Sequence, residues 1–199
     1  MRRGLLVDYG GVLTTNLFTS FAAFCTAEGL DPQALRSAFA GDEEAARLLV
    51  RFEKGQMEEA AFEKALATKL GVSPDGLIDR LFAGLQADAL MIDAVARARR
   101  GGVRCGLLSN SWGHRYDRSQ WEEIFHVTVI SGEVGLRKPD PEIYVLAAKR
   151  LDLPPQDIVF VDDIPHNLPP AEVLGMTTIH HTDSATTVAE LERLLPVSA

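Results

Sequence analysis

Five short apolar runs, separated by helical patterns, constrain the fold of this chain more than any other feature. The runs lie in the segments GLLVDYGG, GVRCGLLSN, HVTVISGE, DIVFVDD and GMTTIHH. Each run has the length of a buried parallel strand, and helical stretches lie between them at 88–100, 140–150 and 167–174. Because strand and helix alternate, we predict an α/β fold whose core is a Rossmann-like, doubly wound parallel sheet.

The segment between the first two runs contains no comparable strand pattern. It is typical of a series of helices, several of which begin at a capping residue and end at a glycine. One of them begins at Asp31 and Pro32 and stops at Gly41. We therefore predict a Rossmann-like core formed by residues 1–15 and 89–199, and a small helical cap formed by residues 16–88.

Composition and charge exclude several classes of partner. The chain has 199 residues, of which 46% are hydrophobic, as expected for a protein that buries a core. Its net charge of -8 argues against nucleic acid or an anionic membrane as the main partner. No apolar stretch reaches the roughly 18 residues of a membrane helix, and the first apolar run ends at Asp8, too early for a signal peptide. We expect a cytoplasmic protein with a small-molecule partner. The sequence carries no signal for an oligomeric state.

Polar residues follow the predicted strands at the points where the strands end. These residues are Asp8 with Gly10 and Gly11, Ser109 with Asn110, Lys138, and the pair Asp162 and Asp163. Ligands of open α/β sheets bind at this edge. Clustered carboxylates repel one another unless a divalent cation neutralises them, and oxygen ligands of this kind suit Mg²⁺.

The same set of residues fits phosphate chemistry. The hydroxyl, the amide and the lysine would hold phosphoryl oxygens, and backbone N–H groups of the glycine turn would assist them. One carboxylate could attack phosphorus and form an aspartyl-phosphate. Asp8, which leaves the first strand ahead of the glycine turn, fits that role.

Four stretches together resemble the motifs of the haloacid dehalogenase-like (HAD) superfamily. The stretches VDYGGVL, LLSNSW, RKPD and VFVDD occur in the order of that superfamily and extend over nearly the whole chain. The helical insertion is similar to the small cap of one of its subgroups. More narrowly, GLLSNSW, SGEVGLRKPDPEIY and FVDDIPHNLPPAEVLGM resemble the phosphatase domain attached to soluble epoxide hydrolases and its bacterial sugar-phosphatase-like relatives.

This resemblance implies a Mg²⁺-dependent phosphatase and a role for each matching residue. It implies a nucleophile and metal ligand at Asp8, a carbonyl metal ligand at Gly10, phosphate contacts at Gly11, Ser109 and Asn110, charge bridging by Lys138, a direct metal ligand at Asp163, a water-mediated one at Asp162, and loop support by Asn167. We expect hydrolysis of a small phosphorylated metabolite, with sugar phosphates as the first choice.

The chain departs from the family pattern at Gly10. Phosphatases of the superfamily usually carry a second aspartate there, which protonates the leaving oxygen, and such a group contributes about 10²- to 10⁴-fold in rate. The substrate could have a leaving group that needs little protonation, such as an anomeric sugar phosphate or an acyl phosphate. Another group could supply the proton; the candidates are Thr14, Thr15, His114 and His166, for which turn and loop roles are favoured. The third alternative is a module that binds phosphate or a protein with little turnover.

Metal-independent 2-haloacid dehalogenases are a further alternative, because they also lack the second aspartate. In those enzymes the aspartate attacks carbon, and the halide leaves without protonation. They do not pair two acids as VFVDD does, since the uncompensated negative charge would oppose a carboxylate substrate. The sequence therefore favours phosphoryl transfer.

The remaining chemically distinctive residues are expected to be structural. No metal-ligand spacing links the cysteines or the histidine pair to further ligands, and aromatic residues in a helix that packs on a sheet are most often core residues. We expect buried free thiols at Cys25 and Cys105 and loop positions for His180 and His181. For Trp112 and Trp121 we favour core packing over the alternative that they line the crevice.

Overall fold

One parallel sheet organises the structure, a computed structural model that describes residues 2–113, 116–119 and 121–196. Its strands are β1 (Gly4–Val7), β2 (Arg104–Ser109), β3 (Val127–Ile130), β4 (Ile158–Asp162) and β5 (Thr177–His180). They pair in the order β3-β2-β1-β4-β5, and every pair is parallel. This confirms the predicted α/β sheet, and it places β1 between the two strands whose ends carry Ser109 and Asp162.

Five helices lie between β1 and the core helix that precedes β2, and we call them the inserted helices. They are α1 (Leu17–Ala27), α2 (Ala34–Gly41), α3 (Glu43–Glu53), α4 (Glu59–Leu70) and α5 (Leu77–Phe82). They share an apolar cluster, in which the Phe52 and Phe62 rings stack with centroids 4.1 Å apart. The assignment of residues 16–88 to a cap separate from the core stays a prediction.

One inserted helix begins later than we predicted. The Asp31 carboxylate accepts the backbone N–H of Gln33 in a turn, and α2 starts at Ala34 and includes Gly41. A non-helical residue, Asp42, then caps α3 by accepting the N–H groups of the residues at 44 and 45. The local side-chain bonds of the two aspartates, and not the glycine, therefore set these helix boundaries.

The remaining helices cover both faces of the sheet. They are α6 (Ala89–Arg100), α7 (Trp121–Ile124), α8 (Ser131–Val134), α9 (Pro141–Leu151), α10 (Leu168–Val173) and α11 (Ser184–Leu194). Leu5 and Val7 of β1 pack into the cluster that contains α6, α7 and α11, whereas Leu6 packs into the cluster with α9 and α10. Burial of both faces explains the continuous apolar runs of the strands. No helix in the described part of the chain is long and apolar enough to cross a membrane.

The chain leaves the core and returns to it at one place. Thr14 and Ala87 form an antiparallel bridge, and the backbone N–H of Asp88 donates to the carbonyl of Leu13 at 2.9 Å. The two connections to the inserted helices therefore lie side by side, just beyond the carboxyl end of β1. This geometry holds the inserted helices over the edge of the sheet where the polar residues meet.

The expectations for the two cysteines and for Trp121 are confirmed, and the expectation for His180 is wrong. Cys25 and Cys105 are buried free thiols, and Trp121 is a core residue. His180 is not a loop residue: it is the last residue of β5 and pairs with Asp162. His181 lies in the loop after β5, as expected, but it is buried, and its Nδ1 hydrogen-bonds with Thr187 Oγ1 at 2.9 Å. The reason is that the backbone N–H of His181 continues the pairing at the end of β5, which directs the ring beneath α11.

Candidate active site

Three carboxylates meet at the carboxyl ends of two neighbouring strands. Val7 of β1 pairs with Val161 of β4, so the residues that follow these two positions emerge next to one another. Asp8, Asp162 and Asp163 each offer one oxygen, and these oxygens lie within 4.8 Å of one another. The parallel register alone therefore concentrates negative charge at one point.

Lys138 lies between two of these acids and compensates part of their charge. Its Nζ is 2.9 Å from Asp8 Oδ1 and 2.6 Å from Asp162 Oδ2. Burial lowers the pKa of the lysine, but the charges of Asp162 and Asp8 more than offset this and raise the pKa of Lys138 above its ordinary value. The side chain is thus a fixed ammonium group next to the candidate nucleophile.

The environment of Asp8 holds its carboxylate in one orientation. Lys138 Nζ and the backbone N–H of Tyr9 both donate to Asp8 Oδ1, and Oδ2 takes part in neither contact. Burial raises the pKa of Asp8 from 3.8 to about 6, although Lys138 lowers it, and Asp162 adds to the increase. Asp8 is therefore oriented at the floor of the site and ionised above about pH 6 in the absence of a cation.

Asp162 and Asp163 differ in how their oxygens are satisfied. Asp162 is fully buried and accepts from Lys138, from Asn167 Nδ2 at 3.0 Å and from the backbone N–H of Ile164 at 2.8 Å. Both carboxylate oxygens of Asp163 are buried without a hydrogen-bond partner. Burial, with the charges of Asp8 and Asp162, raises the pKa of Asp163 to about 7. A buried carboxylate without donors is the group that a cation would satisfy.

The glycine turn after Asp8 makes room for Asp163. Gly11 adopts a φ of +81°, and a Cβ at this position would overlap the Asp163 carboxylate. Its N–H donates to Thr14 Oγ1 at 3.0 Å, so it is not directed at a phosphate as we expected. Gly11 therefore acts as a spacer, because the turn itself uses the only donor that it has.

A leucine occupies the space beside Gly10. A Cβ on Gly10 would overlap Leu17 Cδ1, which belongs to the first residue of α1. The second aspartate of the resembled family would extend from this position. The missing carboxyl group is thus replaced by an apolar contact from the inserted helices.

Asn110 fixes the Lys138 loop with its side chain. Its Oδ1 accepts the backbone N–H of Lys138 at 2.8 Å, and its Nδ2 donates to the carbonyl of the same residue at 3.0 Å. This differs from the phosphate contact that we expected of the Asn110 amide, because the loop backbone already satisfies it. Ser109 ends β2, is buried, and accepts the hydroxyl proton of Tyr116 at 3.1 Å.

The alternative proton donors are engaged in turns, exposed, or not described. Thr14 Oγ1 donates to the carbonyl of Thr15, and Thr15 Oγ1 accepts the backbone N–H of Gln86, which agrees with the turn roles favoured for both threonines. His166 is exposed at the margin of the cavity described below. His114 lies outside the described residues.

Sequence reasoning missed a buried ion pair between an inserted helix and the core. Glu53 ends α3 and is 5% exposed; its Oε2 lies 2.6 Å from Arg137 Nε and 3.4 Å from Asn110 Nδ2. Burial raises the pKa of Glu53, although Arg137 lowers it. The partners are 84 residues apart in the sequence, so no local pattern signals the pair; a glutamate at a helix end is typical of a solvated surface.

A cavity of about 1060 Å³ lies above these polar groups. Asp8, Ser109 and Lys138 form part of its floor, and the inserted helices with the segments next to them form about half of its lining. Trp112 lines the cavity, with its ring centroid 5.4 Å from Phe21 and 6.0 Å from Phe39. Trp112 follows the end of β2 and packs against the apolar cluster of the inserted helices, in agreement with a packing role, but it is half-buried and also lines the cavity.

Comparisons with known proteins agree with this geometry. A family model described as haloacid dehalogenase-like hydrolase matches residues 3–175. Bifunctional epoxide hydrolase 2 of Sus scrofa is 28% identical over 156 residues, which are 74% of this chain but only 28% of that protein. A sesquiterpene phosphatase of Aspergillus oryzae is 29% identical over 153 residues, which are 73% of this chain and 78% of that protein.

A solved structure shares the fold. A HAD family enzyme of Bacteroides thetaiotaomicron, in complex with magnesium and inorganic phosphate, has a TM-score of 0.64 at 23% identity. The alignment covers 90% of this chain and 93% of that one. At this identity the likeness concerns the fold alone.

The different environments of the two neighbouring acids predict opposite effects of the same substitution. Without Mg²⁺, Asp163→Asn should raise the free energy of unfolding at pH 8 by about 1–3 kcal/mol, because it removes a buried charge that lacks donors. Asp162→Asn should lower it by about 3–5 kcal/mol, because it breaks a buried pair with Lys138. Urea denaturation of the three proteins measures both; stabilisation by Asp162→Asn would contradict this description of the site.

The pKa of Asp163 also predicts a pH dependence. Its value of about 7 lies above the ordinary 3.8, so the folded state binds this proton more tightly than the unfolded state. The contribution of Asp163 to stability therefore falls as pH rises from about 4 to 7. Thermal denaturation without Mg²⁺ should show a smaller decline over this range in Asp163→Asn than in the wild type. Equal slopes would contradict the prediction.

Proposed function

The chain belongs to the haloacid dehalogenase-like hydrolases, and from this premise we propose that it is a Mg²⁺-dependent phosphatase of a small phosphorylated molecule. The observation that carries the proposal is the buried carboxylate of Asp163, whose two oxygens have no donor and lie next to Asp8. A buried acidic cluster of this kind is compatible with a folded protein at neutral pH when a cation shares it.

The donor set fits magnesium. Carboxylate oxygens of Asp8 and Asp163 and the backbone carbonyl of Gly10 would hold the ion, and Asp162 would act through water, since its own oxygens already accept from protein donors. When bound, the ion would neutralise the carboxylates and withdraw charge from the phosphoryl oxygens. The related enzyme of Bacteroides thetaiotaomicron was crystallised with magnesium and phosphate, which supports this assignment.

The residues of the chain then have separate tasks in the reaction. A carboxylate oxygen of Asp8 attacks phosphorus, the bond to the leaving oxygen breaks, and that oxygen departs with the electron pair. Water then hydrolyses the aspartyl-phosphate, releases inorganic phosphate and restores Asp8. Lys138 supplies a fixed positive charge beside the nucleophile, Ser109 offers its hydroxyl to a phosphoryl oxygen, and Asn110 positions Lys138.

The contact between Gly10 and Leu17 selects the leaving group. Gly10 offers no carboxyl group to protonate the leaving oxygen, Thr14 Oγ1 both accepts and donates within the turn, and Thr15 Oγ1 accepts the backbone N–H of Gln86. We propose that the substrate is a phosphate whose leaving group departs with little protonation: an aryl, enol or anomeric phosphate, or an acyl phosphate. We further propose that the inserted helices serve as the cap that covers the reacting groups and excludes water.

Dehalogenation fits the site less well. A 2-haloacid brings a carboxylate, and it would meet the negative charges of Asp8 and Asp163, whereas Lys138 is already shared with Asp162 and Arg137 is paired with Glu53. A phosphate with a divalent cation removes this repulsion. The charge balance therefore favours phosphoryl transfer.

Phosphate release tests the proposal directly. An aryl phosphate should be hydrolysed with Mg²⁺ and not with EDTA, and Asp8→Asn should lose at least about 10³-fold in kcat, because it removes the attacking group. Asp93→Asn, a surface aspartate that pairs with Arg97, should retain wild-type activity. Full activity in Asp8→Asn would remove this residue from the role of nucleophile. Halide release that ignores EDTA would establish the dehalogenase instead.

A paired substitution tests the role of the missing acid. Gly10→Asp alone should gain less than the double variant, because the new Cβ overlaps Leu17 Cδ1 and the leucine side chain must move to make room. Gly10→Asp combined with Leu17→Ala should raise kcat on simple alkyl phosphates by up to about 10²-fold. Aryl phosphates should gain much less, and Leu17→Ala alone should gain nothing. An equal gain on both substrate types would contradict the proposed effect on the leaving group.

A further inference from the structure

We propose that the part of the substrate beyond the phosphate is apolar, so that the enzyme hydrolyses phosphates of hydrophobic phenols, enols or acids and not of sugars. The inference rests on the proposed phosphatase function and names its substrate class. It departs from the sugar phosphates that the sequence suggested, and it follows from the composition of the cavity walls.

The cavity walls are apolar along several of the inserted helices. Phe21 of α1, Phe39 of α2, Leu49 of α3 and Phe82 of α5 all line it, and all are half-buried. Together with Trp112 they present aromatic and aliphatic surface to a space of about 1060 Å³, which is large enough for an organic group much bigger than a triose. Removing that surface from water favours an apolar ligand.

The apolar wall extends down to the reacting atoms. Leu17 lies against Gly10, two positions after the candidate nucleophile. A leaving group in line with Asp8 would therefore contact a leucine where the resembled phosphatases have a carboxylate. The first atoms beyond the leaving oxygen would therefore meet the Leu17 side chain on this side of the cavity.

Few polar side chains on the inserted side of the cavity are placed to bind a sugar. They come from the inserted helices and from the segments next to them. Gln33, Arg36, Asp79 and Gln86 border the cavity but are exposed, which puts them at its mouth. Glu53 is the one buried charged residue that the described inserted helices contribute to the lining, and it is paired with Arg137. A sugar packed against this side of the cavity would lose water from its hydroxyl groups without gaining equivalent partners from the inserted helices.

A series of 4-alkylphenyl phosphates tests the inference at constant leaving-group chemistry, since the alkyl chain scarcely changes the acidity of the phenol. With Mg²⁺, KM should fall by as much as about fourfold for each added methylene until the cavity is filled. A terminal hydroxyl on the longest chain should reverse most of this gain. The corresponding phosphonates, which cannot be hydrolysed, should bind with a negative heat-capacity change that grows with chain length.

Two neighbouring leucines of α3 provide a matched pair of variants. Leu48 and Leu49 both pack against the apolar cluster of the inserted helices, but Leu49 lines the cavity and Leu48 does not. Leu49→Asn should flatten the dependence of KM and phosphonate affinity on chain length, whereas Leu48→Asn should keep it. Thermal denaturation of both variants checks that they remain folded to a similar extent.

The outcomes separate this inference from the proposed function. Metal-dependent phosphate release could occur with a KM that does not change with chain length, or that falls when the hydroxyl group is added. Either result would overturn the apolar substrate class and leave the phosphatase function in place. Phosphonate binding that tightens with chain length, without phosphate release from any substrate, would support the apolar site and overturn the proposed catalysis. Equal flattening in Leu48→Asn and Leu49→Asn would also overturn the inference, because the effect would not come from the cavity wall.

Discussion

The buried ion cluster at the ends of β1 and β4 is the constraint on which the rest of the structure depends. Removing a carboxylate from water is expensive unless donors or an opposite charge replace the water. Lys138 meets this need for Asp8 and Asp162, both of which lie within 2.9 Å of its Nζ. The loop that carries Lys138 is in turn held by Asn110, which bonds the backbone on both sides of the residue. Of the three carboxylates, only Asp163 is left without hydrogen-bond donors. A cation bound at Asp163 would therefore stabilise the cluster most.

The parts of this arrangement that depend on local sequence could be predicted. Asp8 and Asp163 were found because polar residues that follow apolar runs must emerge at one edge of a parallel sheet. The same rule located Lys138, but it did not describe its two ion pairs, since a strand pattern carries no information on side-chain distances. Once Asp162 accepts from a lysine, an amide and a backbone N–H, it ceases to resemble Asp163, although the two residues are adjacent in the sequence.

The parts that depend on packing between distant segments could not be predicted. Glu53 reaches Arg137 across 84 residues of sequence, and its helix shows nothing but an ordinary amphipathic pattern. Trp112 follows the end of a strand, and the sequence around it would look the same whether it packed in the core or lined a cavity. Only the position of the inserted helices decides between the two roles. Gly11 was assigned to substrate binding because glycine turns offer free N–H groups, but the turn closes on Thr14 and uses that donor internally.

The loss of the family's proton donor and the apolar character of the cavity follow from one contact. A carboxyl group at position 10 would lie against Leu17, where desolvation raises its pKa and penalises its charged form. Such a group could donate a proton, but it would disrupt the apolar surface that begins at Leu17 and continues to Leu49. Conversely, a substrate that departs without protonation has no use for an acid there and gains binding free energy from a leucine. A hydrophobic phenol, enol or acid satisfies both conditions at once, because resonance stabilises its oxyanion and its carbon skeleton fits the walls.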